Sequence, residues 1–390
     1  MLPRAGPIAS RPPADGRTSS LGARLAAWRT RLVGDPAFQR WAARFLPTRG
    51  LARRRSAALF RITAGFAYTQ VLAACVALDL FGQLAGGPRS EAALAAATGV
   101  PRRRLQQLLA AAQALELIRA GRDGTWALAD FGAVVAGNPG IRAMIGHHAM
   151  LYRDLADPVA LLRGEAGETE TARFWAYAGR REAADTAVDD DAAAAYSRLM
   201  RASQDLVTAE VLDAYPLGRH RVLLDVGGGD GAFLAAAGRR HSRLALRLFD
   251  LPAVAGRAEA RLAAAGLATR SAVTGGNFFT DPLPGGADLV TLVRVLCDHE
   301  DEAALALLGN VRAAMRGGDT LLVAEPMAAG RGEGDALAAA YFSVYFLAMG
   351  AGRNRSPQAL IALLRQAGFA SARLRATRNP LFARLIVARA

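Results

Sequence analysis

The chain has 390 residues, 52% of them hydrophobic and 21% charged, which is enough for two domains with sizeable cores. Its formal charge of +14 is carried without a single lysine, and residues 1–55 alone hold twelve arginines against two acids. The excess therefore sits mostly in an N-terminal arm and does not by itself describe a nucleic-acid groove across the body of the protein. Cys75 and Cys297 stand far apart in apolar segments, which argues against a disulfide framework and fits a reducing cytoplasm. No run of about 18 apolar residues is present, so no spanning helix is expected, and Pro and Arg near the start replace the apolar core of a signal peptide.

Residues 1–20, rich in Pro, Gly, Ser and Arg, are expected to be disordered. Over 21–55 the spacing of Leu21, Leu25, Trp28 and Leu32, then of Phe38, Trp41 and Phe45, predicts helices with an apolar face opposite arginines. Such helices can pack in a dimer or rest on an anionic membrane surface, and either placement fits the pattern. Residues 1–55 are thus read as a basic arm that is partly disordered and partly amphipathic. Residues 56–81 predict one long helix, too apolar for a surface and too interrupted by Arg61, Thr63 and Gln70 to span a membrane. An oligomer interface suits it better. Residues 90–118 read helix, glycine turn, helix, and 119–132 read as a β-hairpin, so 56–140 forms a winged helix.

A winged helix in a basic protein raises a DNA-binding regulator as the competing function. Its second helix carries Arg102, Arg103 and Arg104 only at the start, and beyond Gln106 and Gln107 it offers Leu and Ala, nothing that reads base edges. No nucleic-acid partner is expected. Residues 141–215 read as a helical connector carrying Trp175, Tyr177, Tyr196 and Met200. From 216 to 390 strands and helices alternate. Strands are predicted over 221–227, 245–250, 270–274, 287–296 and 319–325, and helices over 231–240, 253–266, 302–315, 336–351 and 357–367. Two closing strands, 371–377 and 383–389, complete a Rossmann-like α/β fold: a doubly wound, mostly parallel sheet with a hairpin at one edge.

The chemistry starts at Arg221–Gly231, R-V-L-L-D-V-G-G-G-D-G, a strand, a glycine turn and the opening of a helix. That unit binds nucleotide-like ligands against bare backbone. Its spacing departs from the dinucleotide fingerprint, and Asp225 would repel a phosphate while suiting a cationic or hydroxyl-rich ligand, which points to S-adenosylmethionine rather than NAD. Asp250 follows Gly231 by 19 residues, where an acid accepts hydrogen bonds from ribose hydroxyls or caps the next helix. Asn277 and Phe278, in G-G-N-F-F, sit at a strand's carboxyl edge and suit an adenine edge and face; Phe278 as ordinary core is equally compatible. In 336–352 Tyr341, Phe342, Tyr345, Phe346 and Met349 recur at helical spacing without charge, which describes either core or the wall of a pocket for a long apolar ligand. His147, His148, His220 and His241 show no metal spacing with the cysteines, so no metal is expected.

Taken together, Asp225–Gly231, F-D-L-P, G-N-F-F, R-V-L-C-D-H-E-D-E and L-L-V-A-E-P resemble the class I S-adenosylmethionine-dependent O-methyltransferases, in the branch of the plant phenolic and acetylserotonin enzymes. R-W-A-A-R-F and Y-F-S-V-Y-F-L-A-M-G-A-G-R-N-R-S are similar to segments of the bacterial carotenoid methyltransferases within that branch, which act on the tertiary 1-hydroxyl of acyclic carotenoids. The resemblance implies a homodimer built through the winged helix, a cofactor domain over 216–390, a lipophilic hydroxylated acceptor, and a cytoplasmic enzyme with peripheral contact to a membrane. A phenolic or polyketide hydroxyl is the alternative acceptor. By position it implies that Gly227 and Gly229 hold the methionine portion, Asp250 the ribose, and Asn277 and Phe278 the adenine. Arg294 also falls on a cofactor contact, and Met200 and Gln204 line the cleft. Tyr341, Tyr345, Phe346, Met349 and Asn354 then belong to the substrate pocket.

Two departures matter. Asn277 stands where the family usually has Asp, so a charge is lost. Leu296-Cys297-Asp298-His299 stands where the family has Leu-His-Asp-Trp, with that His as the general base. A buried thiol is a poor base because its pKa rises without a cationic partner. His299, two positions on, is the candidate replacement, with a structural role as the competing reading. Glu325 matches an acid that orients the base and could assist or replace it.

Overall fold

The computed structural model describes residues 21–175, 204, 207–328, 333–379 and 383–390; Met1–Ser20, Tyr177, Tyr196 and Met200 lie outside the described residues. The chain divides into two compact units, Met1–Val71 and Leu72–Ala390.

In the first unit the helices Leu21–Gly34, Pro36–Arg44 and Leu46–Thr63 follow one another, and Gly65–Ala77 begins. Asp35 separates the first two, its Oδ1 accepting from the Ala37 N–H at 2.6 Å with Pro36 in the first helical position. Phe38, Trp41 and Phe45 stack along the second helix with ring centroids 5.5 and 4.9 Å apart. The described part of this unit carries ten arginines and one acid, Asp35, and exposes Leu25, Trp28, Phe45, Phe60, Ile62 and Phe66.

The single helix predicted over 56–81 is broken twice. Thr63 ends one piece and Gly65 starts the next, with Ala64 between them. The second break falls at Asp79, which is left-handed at φ 49°; its carboxylate fills the space a Cβ at Gly82 would occupy. Gly65 is a local sign of the first break; the second has no such sign, because Val76, Ala77 and Leu78 precede Asp79 and Leu80 and Phe81 follow it.

The second unit opens with a three-stranded antiparallel sheet in the order β1-β3-β2, from β1 (Arg89–Ser90), β2 (Ile118–Ala120) and β3 (Thr125–Leu128). Helices Glu91–Thr98 and Arg102–Ala114 pack beside it through Leu94, Leu105, Leu109 and Ala112. Ser90 caps the first of them and Gly99 ends it at φ +67°. Arg102 and Gln106 both bind Glu91, at 2.5 and 2.9 Å, so two of the polar groups that opened the DNA question are tied to a neighbouring helix.

The larger sheet has seven strands: β4 (Val222–Val226), β5 (Ala245–Asp250), β6 (Ser271–Gly275), β7 (Leu289–Val293), β8 (Thr320–Glu325), β9 (Ser371–Arg375) and β10 (Arg384–Arg389). Their order is β6-β5-β4-β7-β8-β10-β9. The first five are parallel, and β10 and β9 are antiparallel at the edge, the hairpin the sequence predicts. Successive residues of β4 feed opposite faces: Leu223 joins Phe233, Leu246 and Leu248, while Leu224 and Val226 join Phe249, Leu292 and Leu307. The strand predicted over 287–296 stops at Val293, because Arg294 turns left-handed at φ 58° and Leu296–Asp298 wind into a 3-10 turn.

Candidate active site

Chain order reverses on either side of β4, which lies between β5 and β7. In an open α/β sheet the ligand crevice lies beyond the carboxyl end of the strands at such a point. The glycine turn stands there. Gly227, Gly229 and Gly231 have φ of +69°, +60° and +77°, a region that side chains with a Cβ enter only at a cost. A Cβ on Gly227 would meet Val295 Cγ2 at 2.9 Å and stand 3.6 Å from Phe278 Cε1, whereas one on Gly229 would point into open space.

Beneath the turn Asp225 is 1% exposed. Its Oδ1 accepts from Thr291 Oγ1 at 2.6 Å, and its Oδ2 has no partner among the described residues. Burial, aided by the Asp250 charge and opposed by the Thr291 hydrogen bond, pushes its carboxyl up to about 7. Asp250 closes the turn: Oδ2 accepts from the Gly229 N–H and Oδ1 from the Leu251 N–H, each at 2.7 Å. Both oxygens keep lone pairs for hydroxyls of a ligand. Asn277 Oδ1 accepts from the Phe279 N–H at 2.9 Å, which shapes the turn presenting Phe278. The rings of Phe278 and Phe279 pack edge-on to His299, at 5.7 and 5.2 Å.

At the end of β7 the Arg294 N–H donates to the Ala324 carbonyl at 2.8 Å, which holds the left-handed residue in place. Cys297, 3% exposed, is held from both sides of its backbone: its N–H donates to Glu325 Oε2 at 3.0 Å and its carbonyl accepts from the Arg353 N–H at 2.8 Å. Burial first, then the charges of Asp298 and Glu325, push its thiol well above the ordinary value. Asp298 is pushed up to about 6, and Glu325, fully buried, up to about 8, both chiefly by burial. Glu325 is therefore protonated at neutral pH, and its Oε1 has no partner among the described residues. His299 is pushed down to about 4 by burial and by Arg355. Arg355 itself spans the turn: Nε donates to Asp301 Oδ1 and one terminal nitrogen to the Leu296 carbonyl, both at 2.7 Å, and the other to the His299 carbonyl at 2.6 Å.

The aromatic helix Glu333–Met349 covers this turn. Cys297, Tyr345, Phe346, Met349 and Trp175 share one buried cluster. Tyr345 Oη lies 2.6 Å from His147 Nε2 and accepts from Trp175 Nε1 at 2.8 Å; Tyr341 Oη lies 2.7 Å from His148 Nε2. Asn354 donates to the Ala339 carbonyl at 3.2 Å, and its Oδ1, like Gln204 Oε1, is buried without a partner among the described residues. Met200 lies outside the described residues.

The expected site residues thus gather in two groups. Gly227, Gly229, Asp250 and Phe278 surround the turn, with Asp225 below it; Cys297, Tyr345, Phe346 and Met349 form the second group beside Glu325. Sequence reasoning missed Thr291, Arg355, Trp175 and the role of the His147-His148 pair. Arg355 had a usable signal, an arginine in the G-A-G-R-N-R turn; the histidine contacts join residues 198 and 193 positions apart and had none.

Residues 152–370 match the family described as O-methyltransferase domain. The chain is 46% identical over 383 residues to demethylspheroidene O-methyltransferase of Cereibacter sphaeroides, a match covering 97% of this chain and 98% of that one. This chain belongs to the O-methyltransferase family. The methyltransferase is also 34% identical over 351 residues to acetylserotonin O-methyltransferase of Mus musculus, covering 84% of this chain and 87% of that one. Among solved structures, CalO1, a methyltransferase in calicheamicin biosynthesis in its SAH-bound form, aligns with a TM-score of 0.70 and 26% identity over 86% of this chain and 98% of its own. The enzyme is S-adenosylmethionine-dependent and methylates a hydroxyl of a small molecule.

The residues present fit that cofactor. Gly229 offers bare backbone facing open space, Asp250 offers carboxylate oxygens for hydroxyls, and Phe278 offers a ring beside Gly227. When bound, the cofactor supplies a methyl group on a sulfonium cation, whose charge the acids at the turn complement.

Proposed function

We propose that this methyltransferase acts in carotenoid biosynthesis, on the tertiary 1-hydroxyl of an acyclic carotenoid of the demethylspheroidene type. The observation that carries the reading is the 46% identity over nearly the whole chain to a demethylspheroidene O-methyltransferase. The uncharged wall of Tyr341, Tyr345, Phe346 and Met349 supports it, since a long apolar acceptor needs such a surface. In this reading Gly227, Gly229, Asp250, Asn277 and Phe278 hold the cofactor, with Arg294 and Gln204 at the cleft. Glu325 fixes the Cys297 backbone and, being protonated, offers a hydrogen bond into the pocket. His299 walls the adenine side through Phe278 and Phe279. Incubation with labelled S-adenosylmethionine is expected to label hydroxylated acyclic carotenoids; label entering only a phenol panel would overturn the acceptor.

The same reading places a homodimer at residues 56–81, where Phe60, Ile62 and Phe66 are exposed in the single chain. It also places a peripheral, cytoplasmic-side membrane contact in the basic arm, whose exposed Leu21, Leu25 and Trp28 alternate with arginines. No single described helix is long and apolar enough to cross a membrane. The full chain is expected to co-sediment with vesicles rich in anionic lipid and to lose this on deletion of residues 1–50. Unchanged sedimentation of the shortened chain would remove the arm from the proposal.

A further inference from the structure

A methyl acceptor must lose a proton, and His299 and Glu325, which sequence reasoning put forward to take it, and Cys297, which stands in the family base's place, are poorly placed or in the wrong state. The Cys297 thiol is pushed well above its usual range by burial, and Glu325 already holds its proton at neutral pH. His299 packs edge-on against both Phe278 and Phe279, whose rings also touch each other. A general base is recognised by geometry: a group in the pocket within hydrogen-bond reach of the proton, itself oriented by a further partner. Beside Cys297, the arrangement of Tyr345, His147 and Trp175 has that form.

Tyr345 stands in the cluster around Cys297, and Arg294 and Asp298 both act electrostatically on its hydroxyl. Trp175 Nε1 can only donate, so at 2.8 Å it takes one lone pair of Tyr345 Oη and fixes the direction of the others. His147 Nε2 lies 2.6 Å from the same oxygen. Burial keeps the His147 imidazole neutral, down to about 4, and raises the tyrosine, so the resting pair is a phenol beside a free imidazole. With the His147 proton on Nδ1, the tyrosine hydroxyl donates to Nε2, and one lone pair of Oη remains to accept from a third group.

We propose that Tyr345 and His147 together are the proton acceptor of this methyltransferase, Tyr345 as the catalytic residue that meets the acceptor hydroxyl and His147 as the residue that takes the charge. As the acceptor oxygen forms its bond to the methyl carbon, the carbon–sulfur bond breaks and its electron pair leaves with the sulfur as a neutral thioether. The acceptor O–H bond breaks, its proton passes to Tyr345 Oη, and the proton already on Tyr345 passes to His147 Nε2. The positive charge that began on sulfur ends on the imidazolium. A strong base is unnecessary, because an alcohol oxygen that has gained a methyl before losing its proton is a strong acid; a neutral imidazole suffices. The proposal rests on O-methyl transfer and not on the carotenoid acceptor, so it is measurable on whichever hydroxyl the wild-type enzyme methylates.

The test is kinetic. Tyr345→Phe keeps the ring and His147→Gln keeps a polar side chain at that site. Each is expected to lower kcat by about 100-fold, the low end of general acid–base catalysis. KM for the acceptor and affinity for S-adenosylmethionine should stay within threefold of wild type. Because the two act as one unit, the double variant is expected to be no slower than the slower single. Retention of kcat within threefold in either single variant overturns the proposal. So does a rise in KM and a loss of cofactor affinity that match the fall in kcat, which marks a scaffold. Losses that multiply in the double variant overturn the relay as well. If Tyr345→Phe folds poorly by circular dichroism, His147→Gln alone decides by the same kcat and KM criteria.

Discussion

Arg355→Met is expected to lower stability by about 2–6 kcal/mol, because two carbonyls that lose their guanidinium donor each cost about 1–3 kcal/mol. The carbonyls are those of Leu296 and His299, at the two ends of the turn carrying Cys297, and the guanidinium that serves them is almost wholly buried. Arg355→Lys keeps the charge but cannot reach Leu296, His299 and Asp301 in one planar fork, so it should lose roughly half as much. Thermal melts of both variants at pH 7, with kcat measured in parallel, check the expectation. A methionine variant that melts with wild type would show that Arg353, which also binds Asp301, holds the turn unaided.

Glu325→Gln is expected to change how stability responds to pH. Four buried acids are pushed above their ordinary range in the folded chain: Glu325 up to about 8, Asp225 up to about 7, Asp298 up to about 6, and Asp250, raised by burial as well. A folded state that binds more protons than the unfolded chain loses stability as pH rises, so each acid's contribution is complete below its unfolded pKa and gone above its folded one. His147 and His299, pushed down to about 4, act oppositely and only below about 6.5. Between pH 6.5 and 8 the acids alone act, and Glu325 accounts for about 2 kcal/mol of the decline at 1.36 kcal/mol per pH unit. Melting temperature of the wild type should fall over that window, while Glu325→Gln, which can still accept from the Cys297 N–H, should fall less. Parallel curves for the two proteins would show that Glu325 is not protonated in the fold.

The strands of the large sheet were readable because β-branched and apolar runs bounded by Gly, Pro and Asp leave little alternative to a buried parallel strand. The glycine turn and Asp250 were readable for a related reason: the backbone conformation at Gly227 and Gly229 and the acid at the end of β5 leave residue-type signatures. The end of β7 was not readable. Val293-Arg294-Val295-Leu296-Cys297 continues an apolar alternation, and the left-handed Arg294 that ends it is fixed by a bond to Ala324 on the neighbouring strand. The break at Asp79 was hidden similarly, since its residue type tolerates many conformations and only the space at Gly82 accommodates the one observed. The histidine–tyrosine pairs belong to a third kind. Their partners meet through packing of distant helices, and no local pattern encodes that.

Cys297 has both backbone hydrogen-bonding groups anchored, one by Glu325 and the other by Arg353, and Gly352 lies against its carbonyl so closely that no Cβ fits there. The main chain at this position is therefore positioned by its neighbours and owes nothing to its own side chain. What position 297 presents to Trp175, Tyr345 and Phe346 is set apart from the bonds that hold its main chain. The identity of the proton acceptor is in that sense a detachable property of the fold, free to move from the turn after β7 to the helices packed over it while the cofactor turn stays as it is.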